Sequence, residues 1–168
     1  TAYEIVDCDW SSDVCSSDLF PLTLTSFWLQ HAAWGLEPLG YRLVTLACHL
    51  AAAFLLWRVL VRLRVPGAWL GAALWALHPV QAESVAWICE LKNTQSAVFF
   101  LAAILCHLRW REVSPRAFGR RWYAAALTCA MLAILSKPST VMLPVVLALL
   151  GWRESRRWTW REIGRAHV

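Results

Sequence analysis

The chain alternates between long apolar blocks and short polar stretches. The first clear block is LVTLACHLAAAFLLWRVLV, Leu43 to Val61. A second runs from Ala68 to Leu77 and meets His78-Pro79, and the short amphipathic piece VQAESVAWI follows it. Three more blocks cover about Thr94 to Leu108, Trp122 to Leu135 and Thr140 to Trp152. These blocks show almost none of the polar stripe that a surface helix of a soluble protein carries at helical spacing. The pattern predicts an all-α fold, a polytopic transmembrane helix bundle with about five helical blocks. A complete crossing takes about 20 apolar residues, and several of these cores are about 14 long. Flanking Trp and Arg side chains can snorkel to extend them, so the pattern leaves open which blocks cross fully and which re-enter.

Composition supports the membrane reading. Of the 168 residues, 59% are hydrophobic and 16% charged, against about a quarter charged in a soluble domain. Mean hydropathy is +0.48. Twelve tryptophans suit an interface, where an indole has one end in lipid and one in water. The competing reading, a soluble bundle of very apolar helices, lacks the amphipathic spacing it requires.

The two ends differ from the rest. Residues 1–19, TAYEIVDCDWSSDVCSSDL, hold five of the eleven acidic residues. Asp13-Val-Cys-Ser-Ser-Asp18 can be encoded GAC-GTG-TGC-TCT-TCC-GAT, whose reverse complement translates as Ile163-Gly-Arg-Ala-His-Val168. Natural termini have no reason to be inverted copies of each other. Residues 1–19 and 162–168 are therefore expected to be read-through of a sequencing adapter, to be set aside before fold reasoning. The remaining part, 20–161, is expected to be a partial transmembrane domain.

Setting the ends aside changes the charge. Residues 20–161 hold fifteen Arg and Lys, five Glu and no Asp, a net charge of +10 (15 − 5) rather than the +5 of the whole chain. Nucleic acid is not the implied partner, because the arginines sit between apolar blocks. Twelve fall in three clusters, within 58–64, 109–121 and 153–161, and only Arg42, Lys92 and Lys137 fall in the alternate loops. The positive-inside rule makes the clustered side cytoplasmic. The other face then receives residues 20–42, His78–Asn93 and Ser136–Thr140. Cys48, Cys89, Cys106 and Cys129 show no metal-like or redox spacing.

Candidate chemistry concentrates in LHPVQAESVAWICELKNTQS, residues 77–96. Pro79 breaks the preceding helix because it has no N–H to donate. His78, Glu83, Glu90, Lys92 and Asn93 lie around that break and at the start of the next block, with Lys137 in the following loop on the same face. Lysines beside a helix N-terminus favour an anion such as phosphate. The plainer reading is solvated surface, with Glu90 and Lys92 pairing only with each other. His31, His49 and His107 stand singly and read as packed or interfacial residues. No P-loop, dinucleotide fingerprint, nucleophile triad or metal motif is present.

Three segments, PLTLTSFWLQHAAWGLEPLGYRLV (21–44), LHPVQAESVAWICELKN (77–93) and LSKPSTVMLPVVLALL (135–150), appear in that order. Together they resemble the membrane domain of the O-mannosyltransferase-like proteins that carry tetratricopeptide repeats, within the class of multi-spanning, polyprenyl-phosphate-sugar-dependent glycosyltransferases. The resemblance covers residues 20–152. It implies transfer of a sugar, typically mannose, from a polyprenyl-phosphate carrier to a protein Ser/Thr hydroxyl on the non-cytoplasmic side. It implies no covalently bound cofactor and no metal; the partners are the bilayer, the lipid-linked sugar and an acceptor protein. Its acidic general base is expected upstream of Phe20, and its repeats after residue 161, so this piece alone is expected to be inactive. On this resemblance His78, Glu83, Glu90, Lys92 and Asn93 surround the sugar-phosphate or acceptor, with Lys137 a lesser candidate for the carrier phosphate. Arg42 departs from the His expected in the GY-x-L element. The setting would be a bacterial inner membrane or the endoplasmic reticulum. A non-catalytic anchor for the repeats is the alternative; a transporter, which should show midplane charges and repeated topology, fits less well. An independently prepared sequencing library is expected to give different sequence beyond both ends; recovering the same ends within one gene would overturn the adapter reading.

Overall fold

In the computed structural model, residues 20–112 and 117–152 are described. The two expected adapter segments and the arginine cluster at 153–161 lie outside them. The helices are α1 (Pro21–Trp34), α2 (Pro38–Arg62), α3 (Ala68–Ala76), α4 (Pro79–Ala86), α5 (Leu91–Glu112), α6 (Ala117–Ser136) and α7 (143–152). Short 3-10 turns at Ile88–Glu90 and Pro138–Met142 lead into α5 and α7. The fold is all-α, with no strand among the described residues.

Prolines set several of the starts. Pro21, Pro38, Pro79 and Pro138 each open a helical segment, where a fixed φ suits the helix and the missing N–H costs nothing. Gly35, at φ 60, stops α1 and returns its N–H to the His31 carbonyl. α2 ends in a different way. The Val65 N–H bonds the Leu60 carbonyl and the Arg64 N–H bonds that of Val61, a Schellman closure. Its left-handed position, φ 55, is held by Arg64 rather than by glycine.

α5 is the centre of the bundle, with α6 packed antiparallel along it and α2 on another side. α2 and α5 end side by side, where Arg62 pairs with Glu112. The core between them is Val59, Ala103, Ile104, Leu108 and Leu143, with Phe100, Cys129 and Val146 against it. Ala52, Ala103 and Ala133 are fully enclosed; small side chains let helix backbones approach closely where lipid surrounds them.

Polarity runs inside out. Leu39, Leu43, Leu46, Leu50 and Phe54 form one exposed stripe along α2, while Tyr41, Thr45, His49 and Ala52 face inward. On α1, Thr23 and Gln30 are buried while Leu24, Trp28 and Leu29 are exposed. A water-soluble fold reverses this arrangement. Among the described residues two helices are long and apolar enough to cross a membrane, Pro38–Arg62 and the continuous Ile88–Glu112. Only 22% and 33% of their most apolar windows are buried, although the core helix of a soluble protein would be mostly enclosed.

Among the described residues, helix lengths therefore provide two clear crossings, and the other expected blocks are not shown to span. α3 has nine residues, about 13 Å at 1.5 Å per residue, which is less than half of a bilayer core. α6 has twenty residues but carries Arg120 and Arg121 near its start. The apolar stretch Pro138–Trp152 is shorter still. α1 is a further difference, since residues 20–42 read as a loop-side segment. Its Thr23, Ser26 and Gln30 keep the helical period, but here the polar face is the buried one.

The break between α3 and α4 leaves backbone groups that Pro79 prevents from pairing in the usual register. His49 Nε2 donates to the Ala76 carbonyl at 3.1 Å, and its ring stacks on Trp75 at 5.3 Å. The Val80 N–H donates to His78 Nδ1 at 3.2 Å. His49 is thus a packed residue with a definite task, closing the broken helix from within α2. His49→Ala leaves a carbonyl unpaired and is expected to cost about 1–3 kcal/mol, read as a lower unfolding midpoint in detergent; an unchanged midpoint would refute the link.

Candidate functional site

The polar groups meet where α5 begins and α6 ends. The 3-10 turn brings Glu90 to the foot of α5, and Asn93 follows in its first turn. Asn93 Nδ2 donates to Glu90 Oε2. On its other side Asn93 Oδ1 accepts from Lys137 Nζ at 2.5 Å. Lys137 is placed by the end of α6, its own N–H bonding the Ala133 carbonyl. The second Glu90 oxygen faces Lys92 Nζ at 3.7 Å, with both side chains about three-quarters covered. Lys92 also lies over the Phe20 ring at 5.3 Å.

This cluster holds one carboxylate and two ammonium groups, so its net charge is +1 (2 − 1). The positive end of the α5 backbone adds to it. Asn93 uses both ends of its amide and fixes the spacing between Glu90 and Lys137. Such a site can hold an anion near two cations in a partly covered place, where charge-assisted hydrogen bonds are stronger than in water. It offers no metal cage, as no group of three His, Cys, Asp or Glu gathers among the described residues.

Four of the six residues singled out in the sequence, Glu90, Lys92, Asn93 and Lys137, are therefore brought together. The other two are not. His78 is exposed and spends Nδ1 on capping α4. Glu83 is exposed on α4, and its carboxylate makes no ion pair or hydrogen bond among the described residues. Sequence reasoning also missed the α1 side of the site. Gln95 Nε2 donates to Ser26 Oγ at 2.8 Å, and Thr23 Oγ1 donates to the Ser136 carbonyl at 3.3 Å. The available signal was the spacing Thr23, Ser26, Gln30, which places three polar residues on one helix face.

Comparison with known proteins supplies the family. The chain is 33% identical over 134 residues to protein O-mannosyl-transferase TMTC2 of Mus musculus, covering 77% of this chain and 16% of that protein. It is 32% identical over 134 residues to the Homo sapiens protein of the same name, with the same coverage. It is 34% identical over 126 residues to protein O-mannosyl-transferase Tmtc1 of Drosophila melanogaster, covering 72% of this chain and 14% of that protein. The chain belongs to the O-mannosyltransferase-like family. It spans about a sixth of the length of these relatives. No family model and no solved structure matches it.

Within this O-mannosyltransferase-like chain, Asn93 is the residue whose loss separates the two helices' polar ends. Asn93→Ala removes two charge-assisted hydrogen bonds and is expected to cost about 2–4 kcal/mol. Asn93→Asp keeps the bond from Lys137 but sets a second carboxylate against Glu90. Thermal unfolding of both variants checks this; equal stability of Asn93→Ala and the parent would remove the bridging role.

Proposed function

We propose that the chain forms part of the membrane domain of a glycosyltransferase. The enzyme moves mannose from a polyprenyl-phosphate carrier to a Ser or Thr hydroxyl of an acceptor protein. The acceptor oxygen forms a bond to the sugar's anomeric carbon as the bond from that carbon to the phosphate oxygen breaks. The phosphate departs on its lipid, and the hydroxyl proton passes to a general base. Cations near the departing oxygen stabilise the charge that develops there.

The observation that carries this reading is the convergence of Lys137, Asn93, Glu90 and Lys92 at one end of the bundle, in a chain of this family. Lys137 and Lys92 take the carrier phosphate. Asn93 positions Lys137 and holds Glu90. Glu83 and His78, exposed and without a shared partner, are left to contact sugar or acceptor. With Lys137 and Lys92 as its converging cations, this part of the chain is assigned donor binding. The outward apolar stripe of α2 supports a place in the bilayer, and the lysine cluster lies at the end of the bundle away from Arg62. The reading is completed by a multi-pass membrane protein, in a bacterial inner membrane or the endoplasmic reticulum, with its arginine-rich end cytoplasmic and the cluster on the opposite side.

One observation favours a second reading, a non-catalytic membrane anchor for tetratricopeptide repeats. Every polar group of the cluster except Lys92 already has a close hydrogen-bond partner within the chain, as a purely structural clamp would. Transfer from polyprenyl-phosphate mannose, measured with the full-length protein in membranes, separates the two. Lys137→Ala is expected to lower transfer by about 100-fold, with Lys137→Arg retaining more, and Glu83→Gln to lower it without changing the amount of protein in the membrane. No transfer above background by the parent protein would leave the anchor, and unchanged transfer in Lys137→Ala and Glu83→Gln at equal membrane level would overturn the site.

A further inference from the structure

The opposite end of the bundle carries a second, unassigned concentration of charge. A cavity of about 450 Å3 opens at the end of α2, lined by Trp57, Arg58, Val61, Arg62, Arg64 and Glu112. Three guanidinium groups face one carboxylate, a net charge of +2 (3 − 1). Arg62 is paired with Glu112. Arg58 stacks its guanidinium over Phe54 at 5.7 Å, and among the described residues neither Arg58 nor Arg64 has a carboxylate partner. Arg64 is the second observation. It occupies the left-handed closing position of α2, φ 55, where glycine is usual and a side chain is disfavoured. A disfavoured backbone held at a cavity points to a task for the side chain it carries.

We propose that this cavity binds the phosphate of an anionic phospholipid headgroup. Guanidinium forks match phosphate oxygens two at a time. The surroundings select a lipid over a soluble ester. Phe54, Trp57 and Val61 are exposed along α2 beside the cavity, which gives acyl chains an apolar wall below the charged mouth, and a tryptophan at that level suits the interface. Basic pockets at the ends of membrane helices bind anionic headgroups for these reasons. The inference rests on the reading of α2 as embedded in a bilayer. It does not depend on glycosyl transfer.

The test uses the full chain in phosphatidylcholine vesicles doped with phosphatidic acid, extracted in mild detergent, with retained lipid counted by mass spectrometry. Phosphatidic acid is expected to be enriched over phosphatidylcholine. The double variant Arg58→Gln/Arg64→Gly is expected to lose about 30-fold in retention, each arginine giving several-fold attraction. Arg64→Gly relaxes the backbone, so thermal stability should hold or rise while binding falls, which misfolding could not produce. Glu112→Gln is expected to raise retention several-fold, opposite to the effect of merely losing an ion pair. Unchanged retention in the double variant overturns the site. An equal loss in Arg120→Gln/Arg121→Gln, which lies outside the cavity, shows diffuse attraction and also overturns it. Displacement of the lipid by inorganic phosphate at matching concentration assigns the cavity to free phosphate esters and overturns the lipid assignment. Release of the chain from vesicles by alkaline carbonate identifies failure of the membrane reading itself.

Discussion

The Asn93 amide joins the start of α5 to the end of α6, and the arrangement around the candidate site depends on it. An amide is suited to the position because it donates on one side and accepts on the other. It can therefore satisfy a carboxylate and an ammonium group together, as Glu90 and Lys137 require. A charged residue could serve only one of them and would leave the other opposed. With Asn93 in place, α5 and α6 are tied at their polar ends as well as along Ala103, Ala133 and the core around Leu143. α1 then closes over the same end through Ser26 and Thr23.

The same rule operates along the helices. Polar side chains that cannot reach water must find partners within the protein, and so must backbone groups freed by a break. Thr45 bonds the Tyr41 carbonyl one turn back. Ser136 does the same to Leu132. His49 answers the broken α3 from across the bundle. The outward surfaces carry leucine, tryptophan and phenylalanine instead. This is why the short α3 and α4 can exist at all beside long apolar helices. Their loose ends are met by neighbours rather than by solvent.

Much of this was legible in the sequence. The block Leu43–Val61 lies inside α2, Ala68–Leu77 matches α3, and Pro79 marks the break to α4. Long apolar runs declare helices in lipid without need of an amphipathic period. The stretch 77–96 also held Glu90, Lys92 and Asn93, three of the four singled-out residues that converge, because polar side chains inside an apolar chain are rare enough to notice. What could not be read was depth and direction. The number of crossings stayed open because apolar content does not distinguish a nine-residue helix from a full span. α1 was missed because the usual signal, apolar positions at helical spacing, is inverted when the polar face is buried. Glu83 and Asn93 looked equivalent as sequence; only the fold of the 3-10 turn directs Asn93 toward Lys137 and leaves Glu83 on the surface of α4.

The two ends of the bundle use positive charge differently, and the contrast follows from geometry. At the α5–α6 end the lysines are few and partly covered, and Lys137 is aimed by an amide, so its charge has a fixed direction. At the α2 end the arginines are many and open to a broad cavity, with one carboxylate among them. A directed cation in a covered place is suited to one small anion whose position matters for chemistry. A fan of guanidinium groups at an open mouth is suited to holding a headgroup whose position matters little. The helices between them are apolar on the outside and small-residue packed on the inside, so neither charge cluster can slide toward the other. In the proposed bilayer setting, the arginine cavity and the lysine cluster would fix the vertical position of the chain from both ends.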